Sequence, residues 1–403
     1  MYPDLSYFFH DLLGTDVDNW SSIFKTFGLF LVLTFLTAHY LVKKELQRKE
    51  SEGVLQPIKV KSNHNPMSDA LINALMAFGF GFKIPYIYQN FEAFKADPAA
   101  AIFSGEGNYV TGILLGTLIG IYYYFDIKNK PQAPKGATLV AKSSDKTTNI
   151  IMIAALTGVL GSRLLSIMEN WESFIADPLG QLLSGSGLTI YGGLILAGIC
   201  VALYAKKSGI PVKHMADVAA PALMLGYGVG RMGCQFSGDG DWGIVNDNPK
   251  PDWFFLPDWA WAYEYPRNVA MEGKKIADCV GRYCQELSPP VYPTPIYEIA
   301  VSIILFFILW SLRKKWTTPG KLFFLYVFLT GLSRFFVEQI RVNPRYDLFG
   351  LDWSMSQTIS AVLMVVGIIG ILMMKGGKSG RGDKKKDLYA IPIMDQSPED
   401  NPS

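Results

Sequence analysis

Apolar residues in this chain come in long runs. Nine stretches carry few charges, at roughly 22–42, 68–90, 108–125, 148–168, 188–205, 214–234, 294–312, 320–340 and 355–374. About 20 apolar residues make a helix long enough to cross a hydrocarbon core of about 30 Å. The pattern predicts an all-α polytopic integral membrane protein with about nine transmembrane helices. The first run follows an acidic lead (Asp4, Asp11, Asp16, Asp18). A cleaved signal peptide has a basic start and a shorter core, so this run reads as a retained helix.

Polar connections alternate in character. Lys/Arg-rich loops follow the first, third, fifth, seventh and ninth runs, over Lys43–Lys61, Lys128–Lys146, Lys206–Lys213, Arg313–Lys321 and Lys375–Lys386. Cytoplasmic loops carry the excess of Lys and Arg, which predicts an external N-terminus and a cytoplasmic C-terminus.

An internal repeat runs at an offset of 80 residues. Asn90-Phe91-Glu92-Ala93-Phe94 returns as Asn170-Trp171-Glu172-Ser173-Phe174, and Ala96-Asp97-Pro98 as Ala176-Asp177-Pro178. Ser104-Gly105 matches Ser184-Gly185, Gly81 and Lys83 match Gly161 and Arg163, and Gly112 matches Gly192. Each copy is an outgoing helix, a short crossing and a returning helix, so the duplication is parallel. The chain divides into a first segment and helix (1–45), a hairpin (68–125), a helical section (148–236), an aromatic-rich external cap (237–292), C-terminal helices (293–374) and a tail (375–403). The cap holds Trp242, Trp253, Trp259, Trp261, Tyr263 and Tyr265, which suits the headgroup level. The tail is expected to be disordered against anionic cytoplasmic lipid.

Composition agrees with a membrane reading: 18% of residues are charged, against about 25% in soluble domains. A net charge of +2 gives no reason to expect a nucleic-acid partner. The four histidines do not cluster, and neither a Walker loop nor a dinucleotide fingerprint is present, so neither metal nor cofactor is expected.

A charge inside a membrane costs at least about 2.5–3.5 kcal/mol, so each one needs a reason. Gly228-Val229-Gly230-Arg231-Met232-Gly233-Cys234-Gln235 closes the sixth run. Its glycines let a backbone or a headgroup approach the guanidinium, and arginine suits bidentate phosphate recognition. The bland alternative is a snorkelling arginine among packing glycines. Gly331 through Arg341 closes the eighth run, with Arg334 and Glu338 four residues apart on one face. That pair reads either as a structural ion pair or as a basic group held in place by a carboxylate. Gly187-Leu188-Thr189-Ile190-Tyr191-Gly192-Gly193 enters the fifth run and sets the Tyr191 hydroxyl at the level of the two arginines. Arg163 lies nearer mid-membrane, and Glu298 opens the seventh run as a helix-terminus charge or a site carboxylate. Cys279 and Cys284 share a loop where a disulfide is permissible but adds little stability.

In order along the chain, these segments resemble the phosphatidylglycerol–prolipoprotein diacylglyceryl transferase family. Gly230-Arg231-Met232-Gly233, running into Phe236 and Trp242-Gly243, is similar to its Gly-Arg-x-Gly-Asn-Phe signature ending in Trp-Gly. Tyr297-Glu298 and the Gly331–Arg341 motif resemble two further signatures, Lys25 through Leu29 a fourth, and Gly161-Ser162-Arg163-Leu164 a fifth. The resemblance covers residues 20–45 and 148–374, and the hairpin at 68–125 is extra to it. The family's His-Gly-Gly stands here as Tyr191-Gly192-Gly193, its Asn is replaced by Cys234-Gln235, and its downstream Glu falls at Gly240 between Asp239 and Asp241.

The resemblance implies transfer of a diacylglyceryl group from phosphatidylglycerol to the lipobox cysteine of a prolipoprotein, at the bacterial inner membrane. It implies catalytic roles for Arg334, Glu338 and Tyr191. The substrate contacts would be Arg231, Gly230, Gly233, Gln235, Arg163, Gly192, Gly193 and Glu298. Tyr191, with a reference pKa of about 10, makes a poor base unless the arginines lower it. A lipid transporter and a lipid-binding relative without catalysis remain the alternatives. A transporter predicts polar residues through the whole membrane thickness.

Overall fold

The computed structural model describes residues 1–61, 66–96, 98–129, 138–178, 189–348 and 351–374. Asp97, Ser184-Gly185, Gly187-Leu188 and the tail 375–403 lie outside the described residues.

Each apolar run folds as a helix. The long ones are α2 (Thr26–Ser51), α3 (Pro66–Gln89), α6 (Tyr109–Asn129), α7 (Thr147–Glu169), α9 (Ile190–Lys207), α10 (Val212–Ser237), α11 (Thr294–Leu312), α12 (Lys321–Val337) and α13 (Met355–Met373). Among the described residues, six stretches are long and apolar enough to cross a membrane: Thr26–Ser51, Ala70–Gln89, Ser143–Glu169, Thr294–Leu312, Lys321–Ile340 and Met355–Met373. The protein is an α-helical multi-pass membrane protein. Short helices complete the set: α1 (Leu5–Leu13), α4 (Phe91–Ala96), α5 (Pro98–Phe103) and α8 (Trp171–Ala176).

The two repeats build the same packed unit. In the α7–α9 pair, a Cβ on Gly161 would meet the Gly192 carbonyl at 2.4 Å, and one on Gly192 would meet the Gly161 carbonyl at 2.3 Å. In the α3–α6 pair, a Cβ on Gly81 would sit 2.6 Å from the Thr111 carbonyl and 3.0 Å from Gly112 Cα. Close glycine contact is how helices pair in lipid, where no hydrophobic drive brings them together. Lys83 uses its ammonium within its own hairpin, donating to the carbonyls of Ala101 (3.0 Å) and Glu106 (2.9 Å).

α10 runs through the middle, packed between α2 and α11. Its start follows Pro211, and Gly238 at φ +65° ends it in the left-handed region open to glycine. Gly233 faces Phe27 and Phe30 of α2, while Gly228 faces Ser302 of α11. Gly331, Gly367 and Gly370 let α12 and α13 cross closely. Leu41, Leu46, Ile150, Met215, Val218 and Leu309 form the main buried cluster, at the end of the bundle where α10 begins.

At the other end sits the cap. It is built on Trp242, Tyr265, Leu287 and Val291 and on a short ladder pairing β3 (Lys274–Lys275) with β4 (Gln285–Glu286). Cys279 and Cys284 are joined as a disulfide. α1 docks onto the cap, the Tyr7 hydroxyl accepting from Tyr283 N at 3.1 Å. β1 (Ile58–Lys61) pairs with β2 (Thr138–Ala141) beside the opposite ends of α2 and α7, and β5 (Arg345–Leu348) pairs with β6 (Leu351–Ser354) between α12 and α13.

Candidate active site

Three arginines and three carboxylates meet where α10, α11, α12 and the cap converge. Glu298, just past the first turn of α11 and 3% exposed, is the centre. Its Oε2 lies 2.9 Å from Arg231 Nε, and its Oε1 lies 2.9 Å from Arg334 Nη1. The Tyr227 hydroxyl donates to Oε1 at 2.7 Å. Tyr227 is one helical turn before Arg231 on α10, and its ring centroid lies 5.1 Å from that guanidinium.

Arg334 has a second partner. Its Nη2 is 3.2 Å from Glu338 Oε2. Glu338, 2% exposed, follows α12 in a 3-10 turn. Its Oε1 accepts from Ser354 Oγ at 2.8 Å and from Asn343 Nδ2. Ser354 is also the N-cap of α13, so Arg334 is fixed through Glu338 to the start of the next helix.

The cap supplies the third carboxylate. Asp241 pairs with Arg231 through Oδ2 and with Arg341 through Oδ1. Gly243 makes this reach possible. Its N–H donates to the Tyr292 carbonyl at 2.8 Å, and a Cβ there would lie 2.4 Å from the Ile340 carbonyl. Only glycine lets the cap strand pass between those backbones. Thr294 Oγ1 then donates to the Asp241 carbonyl at 2.7 Å. Burial raises the Asp241 carboxyl, but Arg231 and Arg341 more than offset this and hold it down at about 2. Its neighbour Asp239 moves the other way, pushed up by burial and then by the Asp241 charge.

Cys234, Asp239 and Asp241 bring possible ligand atoms within 4.8 Å of one another. Two guanidinium groups already occupy Asp241, and Arg231 Nη1 lies 3.7 Å from the Cys234 sulfur. Positive charge fills the place a cation would take.

The other expected site residues sit elsewhere. Gln235 accepts from the Tyr265 hydroxyl at 2.8 Å and so ties α10 to the cap. Gly230 and Gly233 face α2. Gly192 and Gly193 pack on Gly161, Ser162 and Gly158 of α7, and Arg163 is buried in that helix. Tyr191 is 37% exposed and, among the described residues, makes no hydrogen bond to the cluster. Tyr227, Asp241 and Arg341 were not among the expected site residues, although Asp241 flanks the position of the family's downstream Glu. Tyr227 carried a signal in its four-residue spacing from Arg231, and Arg341 in its place at the end of the Gly331 motif.

Comparison with known proteins followed the same lines. Residues 108–373 match the family described as prolipoprotein diacylglyceryl transferase. Three curated relatives, each called phosphatidylglycerol–prolipoprotein diacylglyceryl transferase, are similar over most of their length. One from Corynebacterium glutamicum is 26% identical over 275 residues, 67% of this chain and 79% of the relative. One from Dehalococcoides mccartyi is 29% identical over 228 residues, 56% and 76%. One from Bacillus cereus is 28% identical over 281 residues, 69% and 91%.

Proposed function

Because the chain belongs to the prolipoprotein diacylglyceryl transferase family, we propose that it moves the diacylglyceryl group of phosphatidylglycerol onto the lipobox cysteine of a prolipoprotein. A thioether forms and glycerol 1-phosphate leaves. The observation that supports this reading most is the single carboxylate, Glu298, that holds Arg231 and Arg334 side by side.

The cysteine sulfur attacks C3 of the glyceryl group, and the bond from that carbon to the phosphate oxygen breaks. The electron pair stays on oxygen, so a phosphodiester with one negative charge becomes a phosphomonoester with two. Fixed donors aimed at that developing charge are the main source of rate. The ion pairs of Arg231 use Nη1 and Nε, and those of Arg334 use the two Nη atoms. Arg231 Nη2 and Arg334 Nε take no part in these ion pairs, and we assign them to the phosphate. Glu338 positions Arg334, and Tyr227 holds Glu298. Arg341 adds a third positive charge through Asp241.

The thiol must lose its proton before it attacks, and positive charge nearby lowers a thiol pKa. Tyr191 stands in place of the family histidine, and a Tyr191→Phe variant tests whether it takes the proton. We assign Gly230, Gly233, Gly192 and Gly193 to seating the helices around the lipid, and Arg163 and Gln235 to its walls. The hairpin α3 to α6 packs chiefly on itself, and the family match begins at residue 108, so its returning helix α6 falls within the match.

We place the protein in the bacterial inner membrane with nine spans, the cap outside and the C-terminus in the cytoplasm. The five Lys/Arg-rich loops support that orientation.

The test is purified protein in phosphatidylglycerol vesicles with a lipobox peptide, read by the mass of the thioether peptide and by glycerol 1-phosphate release. A transporter or a lipid-binding relative yields neither product. Full release by both Arg231→Ala and Arg334→Ala would rule out the mechanism.

A further inference from the structure

A second cationic site lies at the far end of the bundle. A cleft of about 820 Å³ opens between the segment Val54–Ile58 and the C-terminal end of α9. That volume falls within the range of about 300–1,000 Å³ typical of small-molecule sites. Lys146, Lys206 and Lys207 line it together with Tyr204, and among the described residues its lining includes no carboxylate. α10 begins next to the cleft and carries Arg231 nineteen residues later, roughly 30 Å away at about 1.5 Å per residue. The two sites therefore face opposite leaflets.

Four described acids at this end are committed elsewhere. Glu45 takes Arg48 and Arg313, and Glu52 takes Arg48. Glu50 accepts from Ser144 N at 2.7 Å and Ser144 Oγ at 2.9 Å, and Asp145 accepts from Lys142 N. Among the described residues Lys146, Lys206 and Lys207 have no carboxylate partner. The Tyr204 hydroxyl accepts from Asn149 Nδ2 at 3.0 Å, which leaves its own proton to donate. Three ammonium groups and a hydroxyl donor thus share one concave space, with no carboxylate among its described lining residues.

What fills it is indicated by α9. Leu203 and Ile199 lie one and two turns before Lys206 and Lys207 and are 62% and 52% exposed. Their spacing puts them on one face, which leads from the bilayer to the lysines. A soluble anion makes no use of that apolar track, whereas a headgroup with acyl chains uses both parts. We propose that this cleft binds the phosphodiester headgroup of an anionic phospholipid from the leaflet opposite the Arg231 site, with its chains along Ile199 and Leu203. The inference rests on the membrane reading and not on the transfer reaction.

The test is native mass spectrometry of protein taken from vesicles of mixed phosphatidylglycerol and phosphatidylcholine. Two variants are compared with the wild type: the triple change Lys146→Gln, Lys206→Gln, Lys207→Gln, and Ser208→Trp, which fills the cleft with its charges kept. A reporter on the C-terminus checks that orientation is unchanged. Both variants should lose one retained phosphatidylglycerol, with the anionic preference falling roughly ten-fold or more in the triple variant, the scale expected when three lysines stop facing anionic lipid. Wild-type retention of phosphatidylglycerol by the triple variant would overturn the proposal. So would displacement of that lipid from the wild type by excess inorganic phosphate, which would make the cleft a site for free anions. Transfer to the lipobox peptide should stay at the wild-type level in both variants. A wild type that retains the lipid but makes no thioether product would refute the proposed function and leave this site standing.

Discussion

Glu298 stands between Arg231 and Arg334 with one oxygen 2.9 Å from each. The two arginines belong to different helices, so this carboxylate sets the gap between them. Glu298→Gln keeps the shape and removes the charge, leaving two guanidinium groups facing each other at low dielectric. Breaking a buried pair on one side costs about 3–5 kcal/mol. The expected outcome is a clear fall in melting temperature in detergent, with transfer down by about 100-fold or more. Wild-type values for both would show that Glu298 is not the linchpin.

Tyr227→Phe removes a single hydroxyl and keeps the ring beneath Arg231. A hydrogen bond to a charged group is worth about 1.5–3 kcal/mol. We expect kcat to fall by about ten-fold or more, with KM for phosphatidylglycerol little changed and the fold intact. A change confined to KM would make Tyr227 a lipid contact instead of the support for Glu298.

Asp241 gives a pH prediction with a defined sign. Its folded value is about 2 against an ordinary 3.8. A depressed carboxyl stabilises the fold above 3.8, and that stability is lost as pH falls towards 2. The melting-temperature gap between wild type and Asp241→Asn should be constant above about pH 5 and should shrink between about 3.8 and 2. A gap that persists at the lowest pH would mean that the pairing with Arg231 and Arg341 is not what Asp241 contributes.

The duplicated units separate packing from chemistry. Gly161→Leu and Gly81→Leu each push a side chain into a glycine crossing of the same design. Gly161→Leu should lower both stability and transfer, because α9 contacts α10. Gly81→Leu should leave transfer within about two-fold, the effect staying inside a self-contained hairpin; measured kinetics of the pair decide the point.

Much of the architecture was legible in the sequence, for a specific reason. Each long helix falls on an apolar run, six of them with the length and apolarity to cross a membrane, and the Gly81 and Gly161 crossings follow from an ungapped repeat. Arg231, Arg334 and Glu298 were legible because a charge at membrane depth is costly. Asp241 was legible only as one flank of the family's downstream Glu position, since a stretch such as Gly238-Asp239-Gly240-Asp241 looks like an ordinary solvated turn. Only the passage of Gly243 between Tyr292 and Ile340 carries it inward, and that is a tertiary fact. Tyr227 was hidden by the commonness of tyrosine near interfaces, and the Cys279–Cys284 bond by the bare spacing of two cysteines.

Asp241 belongs to the cap, whereas the arginines it neutralises rise from the helices. In the ion pairs of the site, Arg231, Arg334 and Arg341 meet Asp241, Glu298 and Glu338, three charges of each sign. Without Asp241 these pairs would hold one positive charge more than negative, the complement of one phosphodiester, so the charge that the cap contributes is equal in size to the charge of the lipid headgroup.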